Sequence, residues 1–77
     1  MDRIYEILNT QMPEKDFKSS MDFVNDGLLD SFDIILLITE LESEFHVLID
    51  PLDIVPQYFS SVAAIAELIA KSGGTVE

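Results

Sequence analysis

The segment NDGLLDSFDIILLITELESEF, residues 25–45, sets one hydroxyl, Ser31, between two carboxylates, Asp30 and Asp33, at the head of a long apolar run. A serine placed there can cap a helix, act as a nucleophile, or accept a modification made by another enzyme. A serine nucleophile needs a base within hydrogen-bond reach, and that base needs an orienting partner. The one histidine, His46, stands fifteen residues further on. At 1.5 Å per residue a straight helix separates the two by about 22 Å. Ser31 also lacks the Gly-x-Ser-x-Gly elbow that exposes a hydrolase nucleophile. Self-catalysis by Ser31 is therefore excluded, and His46 reads as a charge complement at a helix C-terminus or as a half-exposed residue.

Metal chemistry fares no better. With Gly27 as the sixth residue of a calcium loop, Asp22 falls first, Val24 third and Asp33 twelfth. Such a loop wants an oxygen ligand at the third position and normally Glu at the twelfth. Val24 breaks the pattern. The absence of cysteine removes thiolate sites and disulfides, and a lone histidine removes a multi-histidine zinc site.

The elements that must carry Ser31 follow from periodicity. Ile4, Leu8 and Met12, widened by Ile7, form the apolar stripe of a first helix over 2–12, with Asp2 able to cap it and Pro13 to stop it. Residues 13–30 form a long connection, pegged by Phe17, Met21, Phe23, Val24, Leu28 and Leu29, with a helical turn near Asp16–Ser20. Asn25-Asp26-Gly27 marks a tight turn. The second helix spans 31–45, with Asp30 as N-cap and Asp33 in the first turn, where the dipole favours negative charge. Ile34, Leu37, Ile38, Leu41 and Phe45 share its core face, and Asp33, Glu40 and Glu44 a polar strip beside it. Phe32, Leu36 and Thr39, flanked by Ile35, fall nearly opposite the core, a second apolar strip that packing does not require.

Asp50-Pro51 reads as a cap and a helix-starting proline for a short helix over 52–55. Ser60 or Ser61 caps a last helix over 61–71, with Val62, Ile65, Leu68 and Ile69 inward. Gly73-Gly74 ends it, and residues 72–77 are expected to fray. No segment alternates as a strand would. The expected fold is all-α: one domain over 1–77, a small bundle of three main helices plus one short helix.

Bulk properties narrow the function classes. A 77-residue chain buries only about 60% of its unfolded surface, leaving little room for an enclosed active site. Fifteen acidic residues against four basic ones give a net charge of −11. That surface repels nucleic acid and attracts basic patches on partner proteins. No apolar run is longer than Ile34 to Ile38, far too short for a membrane span, and the N-terminus lacks a signal-peptide pattern. A cytoplasmic monomer is expected.

The segment DGLLDSFDIILLITELESEF resembles the prosthetic-group region of acyl and peptidyl carrier proteins, in which an Asp-Ser-hydrophobic triplet opens the second helix. IDPLDIVPQYFSSVAAIAELI resembles the short third helix and closing helix of the same family. The likeness covers roughly Asp22 to Ala70; Met1–Met12 matches only as a generic amphipathic helix. It implies a non-enzymatic carrier, with 4′-phosphopantetheine from coenzyme A joined to Ser31 and a cargo held as a thioester. It further implies that Asp30 belongs to the surface read by a phosphopantetheinyl transferase.

A phosphodiester at a helix N-terminus is stabilised there by about 0.3–1 kcal/mol, against repulsion from Asp30 and Asp33. The second apolar strip then reads as a docking surface of Phe32, Ile35, Leu36 and Thr39, with Asp33 and Glu42 supplying charge on either side. Ile35 is the member expected to be partly covered by the loop or the short helix. Fatty-acid carriers often have a second helix dense in acid along the partner face, whereas Leu36, Thr39 and Ser43 stand there in this chain. That pattern looks closer to stand-alone carriers loaded by an adenylating enzyme, such as D-alanine carriers or single peptidyl carriers, which pass cargo to downstream acyl-transfer enzymes. The alternatives are a fatty-acid-synthesis carrier and an unmodified acidic helical docking module.

Overall fold

The computed structural model describes residues 2–74, with Asp2 described by its backbone alone. The expected Asp2 cap and the fraying of residues 75–77 lie outside the described residues. Among the described residues there are three α-helices, α1 (Asp2–Gln11), α2 (Ser31–Phe45) and α3 (Val62–Lys71), two 3-10 turns and no strand. The architecture is the all-α bundle expected. Among the described residues no helix is long and apolar enough to cross a membrane.

Helix α1 buries Ile4, Ile7 and Leu8, and Met12 continues its stripe just past the end. The Met12 N–H still donates to the Leu8 carbonyl at 2.9 Å before Pro13 turns the chain out. The helix packs on both α2 and α3.

The long connection is ordered by two aromatic rings. Phe17 and Phe23 meet edge-to-face, centroids 5.1 Å apart, and both are buried. The Phe23 N–H donates to the Ser60 carbonyl at 2.8 Å, and the Phe23 carbonyl accepts from Leu28 and Leu29. Gly27 supplies the positive φ, 78°, that reverses the chain inside this turn. Leu29 is buried, and Val24 and Leu28 pack at the margin. Met21 departs from expectation: it is almost fully exposed. Phe17 and Phe23 fill the inner positions on either side of it. The neighbouring Ser20 and Asp22 are engaged in turn contacts, with Ser20 Oγ on Asp26 and Asp22 accepting from the Asn25 N–H.

Helix α2 buries Leu37 and Leu41 fully and Ile38 nearly so, while Ile34 and Phe45 sit half-buried against the core. After α2, the short helix expected over 52–55 is replaced by two 3-10 turns, Pro51–Asp53 and Pro56–Phe59. The two prolines are five residues apart, so Pro56 would break any α-helix begun at Pro51. Each proline instead starts its own turn. Asp50 caps the first by accepting the Leu52 N–H at 2.9 Å. The second packs on α3 through the fully buried Phe59.

Ser61, not Ser60, caps α3 by accepting the Ala64 N–H at 3.1 Å. The C-terminus of α3 is sealed. The Gly73 N–H reaches the Ala70 carbonyl and the Gly74 N–H the Ile69 carbonyl, the paired bonds of a Schellman motif. Residues 72–74 are thus held where fraying was expected. Gly74 is packed so closely that a Cβ would fall 2.6 Å from Val47 Cγ1.

Candidate functional site

Ser31 is the first residue of α2 and is exposed. Asp30, extended at φ −104° and ψ −177°, caps the helix. Its Oδ1 accepts the Asp33 N–H at 2.9 Å, and Asp33 Oδ2 accepts the Asp30 N–H at 3.5 Å. This reciprocal pair is a capping box. The first turn of α2 leaves the Ser31 and Phe32 N–H groups without acceptors inside the helix, so Ser31 Oγ stands where a negative charge is favoured.

Asp33 has a second partner. Lys15 Nζ donates to Asp33 Oδ2 at 3.0 Å and to the Leu28 carbonyl at 2.6 Å. The Lys15 ammonium holds the Asp33 carboxyl below the ordinary aspartate value of 3.8, with partial burial working the other way.

His46 closes the opposite end of α2, exposed and left-handed at φ 54°. The full length of the helix separates it from Ser31, so it supplies no base. It sits at the helix C-terminus as expected and has a backbone role there: its N–H donates to the Glu42 carbonyl, and its φ turns the chain away. Among the described residues no group of His, Asp, Glu or Cys side chains could hold a metal ion.

The second strip of α2 is on the surface. Phe32 is 68% exposed, Ile35 60% and Leu36 47%, with Thr39 and Ser43 also exposed. The order corrects the expectation for Ile35, which is less covered than Leu36. The chain end of α1 accounts for this, since Gln11 Nε2 reaches the Leu36 carbonyl at 3.2 Å. The 3-10 turns lie beside Ile35 and not over it. Between them is an apolar hollow of about 220 Å³ lined by Ser31, Ile34, Ile35, Ile54, Val55, Pro56 and Phe59. Ser31 is its one polar residue.

Asp33 and Glu42, expected to flank the strip with charge, also make bonds within the chain, Asp33 as above and Glu42 by accepting the Ile49 N–H at 2.9 Å. Asp30 and the exposed strip are brought to one end and one side of α2, with Ser31 at their junction. Sequence reasoning missed Lys15, sixteen positions before Ser31, because only the folded connection brings it to the head of α2. The D-x-x-D spacing of Asp30 and Asp33 is the readable part of the capping box.

Among the described residues, His46 lies at the far end of α2 from Ser31, and the hollow beside Ser31 is open. The arrangement offers an exposed hydroxyl at a helix N-terminus, beside an apolar hollow and an exposed apolar strip. A family model described as a phosphopantetheine attachment site matches residues 2–69, from the first residue of α1 into the last turn of α3. Comparison with curated proteins and with solved structures finds no match.

Proposed function

Because the chain belongs to the phosphopantetheine-attachment family, whose members are carriers and not catalysts and bear a covalent 4′-phosphopantetheine, we propose that Ser31 is its attachment point. The observation that carries this is the placement of Ser31: an exposed hydroxyl on the first residue of α2, next to a capping aspartate. The group supplies a terminal thiol, and so a thioester bond to cargo, in a chain that has no cysteine. The chain's own residues present the hydroxyl, fix the helix head and offer a surface to the enzymes that read it.

The partners of such a carrier are a phosphopantetheinyl transferase and acyl-handling enzymes. Asp30 is the residue proposed to be read by the transferase. Phe32, Ile35, Leu36 and Thr39 form the proposed docking strip, with Asp33 and Glu42 at its flanks as structural anchors. The non-acidic surface positions Leu36, Thr39 and Ser43 support a stand-alone carrier loaded by an adenylating enzyme with an aminoacyl or similar specialised group, over a carrier of fatty-acid synthesis. The small apolar hollow beside Ser31 suits a short cargo better than a long chain.

The test is intact mass after incubation with a phosphopantetheinyl transferase and coenzyme A. The wild type gains one arm and Ser31→Ala gains none. A wild type that stays unmodified, or a Ser31→Ala variant that takes the arm, overturns the proposal. Intact mass of the protein from its native host then reads the cargo. An aminoacyl load supports the adenylating-enzyme reading, and a long fatty acyl load defeats it.

A further inference from the structure

An arm on Ser31 brings another negative charge to a helix head that already holds two carboxylates. Neither carboxylate is able to swing away without cost. Asp30 Oδ1 caps the Asp33 N–H, and Asp33 Oδ2 receives the Asp30 N–H. The cap that orders the first turn therefore also opposes a phosphodiester there, and the repulsion is strongest at low ionic strength.

One cation is fixed at that point. Lys15 bonds Asp33 and the Leu28 carbonyl together, with a quarter of its side chain exposed. The other described cations are held elsewhere: Arg3 by Glu44 and against Phe45, Lys18 over Tyr5, and Lys71 by Asp53 and Tyr58. Of the four described lysines and arginines, Lys15 is the one bonded at the head of α2. It offsets the Asp33 charge and, through Leu28, holds the short stretch that leads into Asp30 and Ser31.

We propose that Lys15 is a positioning residue for the prosthetic group, a fixed counter-charge and clasp that lets the capped head of α2 carry a phosphodiester on Ser31. The inference rests on the attachment reading of Ser31. Asp33 supplies the second half of the capping box, and Lys15 removes the electrostatic penalty that its charge would otherwise place on the modified state. A lysine suits this place because one ammonium satisfies both the carboxylate and the carbonyl.

The experiment compares melting temperatures of unmodified and modified protein for wild type, Lys15→Met, Lys15→Arg, Asp33→Asn and the Lys15→Met/Asp33→Asn double variant. Each is measured at ~20 mM and at ~0.5 M salt, where screening separates charge from packing. In the wild type the arm leaves the melting temperature nearly unchanged. In Lys15→Met the modified form melts about 2–4 °C below the unmodified form at low salt, and the gap closes at high salt. Lys15→Arg behaves as wild type, and the double variant returns towards it.

Asp33→Asn alone gains from modification relative to wild type, which keeps the test open if Lys15→Met folds poorly. Equal modified-minus-unmodified differences in wild type, Lys15→Met and Asp33→Asn overturn the role of Lys15. Failure of the Ser31 reading shows separately, as a wild type that never takes the arm on Ser31.

Discussion

Glu42 Oε2 accepts the Ile49 N–H at 2.9 Å, so a carboxylate on the flank of α2 fixes the extended chain that follows the helix. Val47 and Ile49 are buried on either side of the exposed Leu48, and the bond holds this alternation in register. Glu42→Ala removes a charged acceptor and leaves the Ile49 N–H without it, at a cost of about 1–3 kcal/mol. Glu42→Gln keeps an acceptor and costs less. Urea denaturation of the three proteins measures both values, and an alanine variant as stable as wild type would return Glu42 to a purely surface role.

His46 adopts φ 54°, a left-handed conformation, while exposed to solvent. A β-carbon is strained there and glycine is not. His46→Gly is therefore expected to stabilise the protein by about 0.5–1 kcal/mol, reduced somewhat by the freedom glycine adds to the unfolded chain. The melting temperature rises by a few degrees if the strain is real. A fall would mean that the imidazole makes a contribution of its own.

Gly74 sits at the opposite extreme, where space and not φ sets the constraint. A Cβ at this position would meet Val47 Cγ1 at 2.6 Å, Ile69 Cγ2 at 2.7 Å and the Ile69 carbonyl at 3.2 Å. Gly74→Ala forces the end of α3 away from the segment after α2 and costs about 1–3 kcal/mol. Thermal melting checks it, with Gly27→Ala as a contrast. Gly27 has open space around a positive φ, so alanine there meets backbone strain without a clash.

These residues mark where the chain was readable and where it was not. The three helices, the Asp30 cap, the buried Leu37, Ile38 and Leu41, and the exposed strip of Phe32 and Leu36 all follow from 3.6-residue periodicity and cap chemistry, which are local. The exposure of Ile35 and Met21 depends on how neighbouring segments lie, not on their own spacing. The paired 3-10 turns hinge on Pro56 as much as on Pro51. Lys15–Asp33 and Glu42–Ile49 are bonds between segments brought together by the fold, and no local pattern signals either one.

Acid should loosen the head of α2. Lys15 holds the Asp33 carboxyl below 3.8 in the folded protein, so near and below that value the unfolded chain takes up the proton more readily. Stability from this group is present above the unfolded pKa and is lost as pH falls through the lower folded one. Denaturation curves on the acid side of pH 4 are expected to fall less steeply for Asp33→Asn than for wild type. Indistinguishable pH slopes would remove the Lys15–Asp33 pair from the acid response.

The proposed docking strip and the core of α2 are separable by mutation. Leu36 is 47% exposed and Leu41 fully buried, on opposite sides of one helix. Leu41→Ala leaves a cavity among core side chains and costs about 2–5 kcal/mol, a large share of a small domain's stability. Leu36→Glu buries no charge, because a half-exposed side chain at the edge of α1 has water to turn into, so its melting temperature stays close to wild type. Under the proposed docking role its effect is expected on transfer: an added carboxylate in the apolar strip lowers kcat/KM for the cognate acyl-handling enzyme, while the transferase still adds the arm. A Leu36→Glu variant that melts as low as Leu41→Ala would place Leu36 in the core. One that melts and transfers as wild type would move docking to another face.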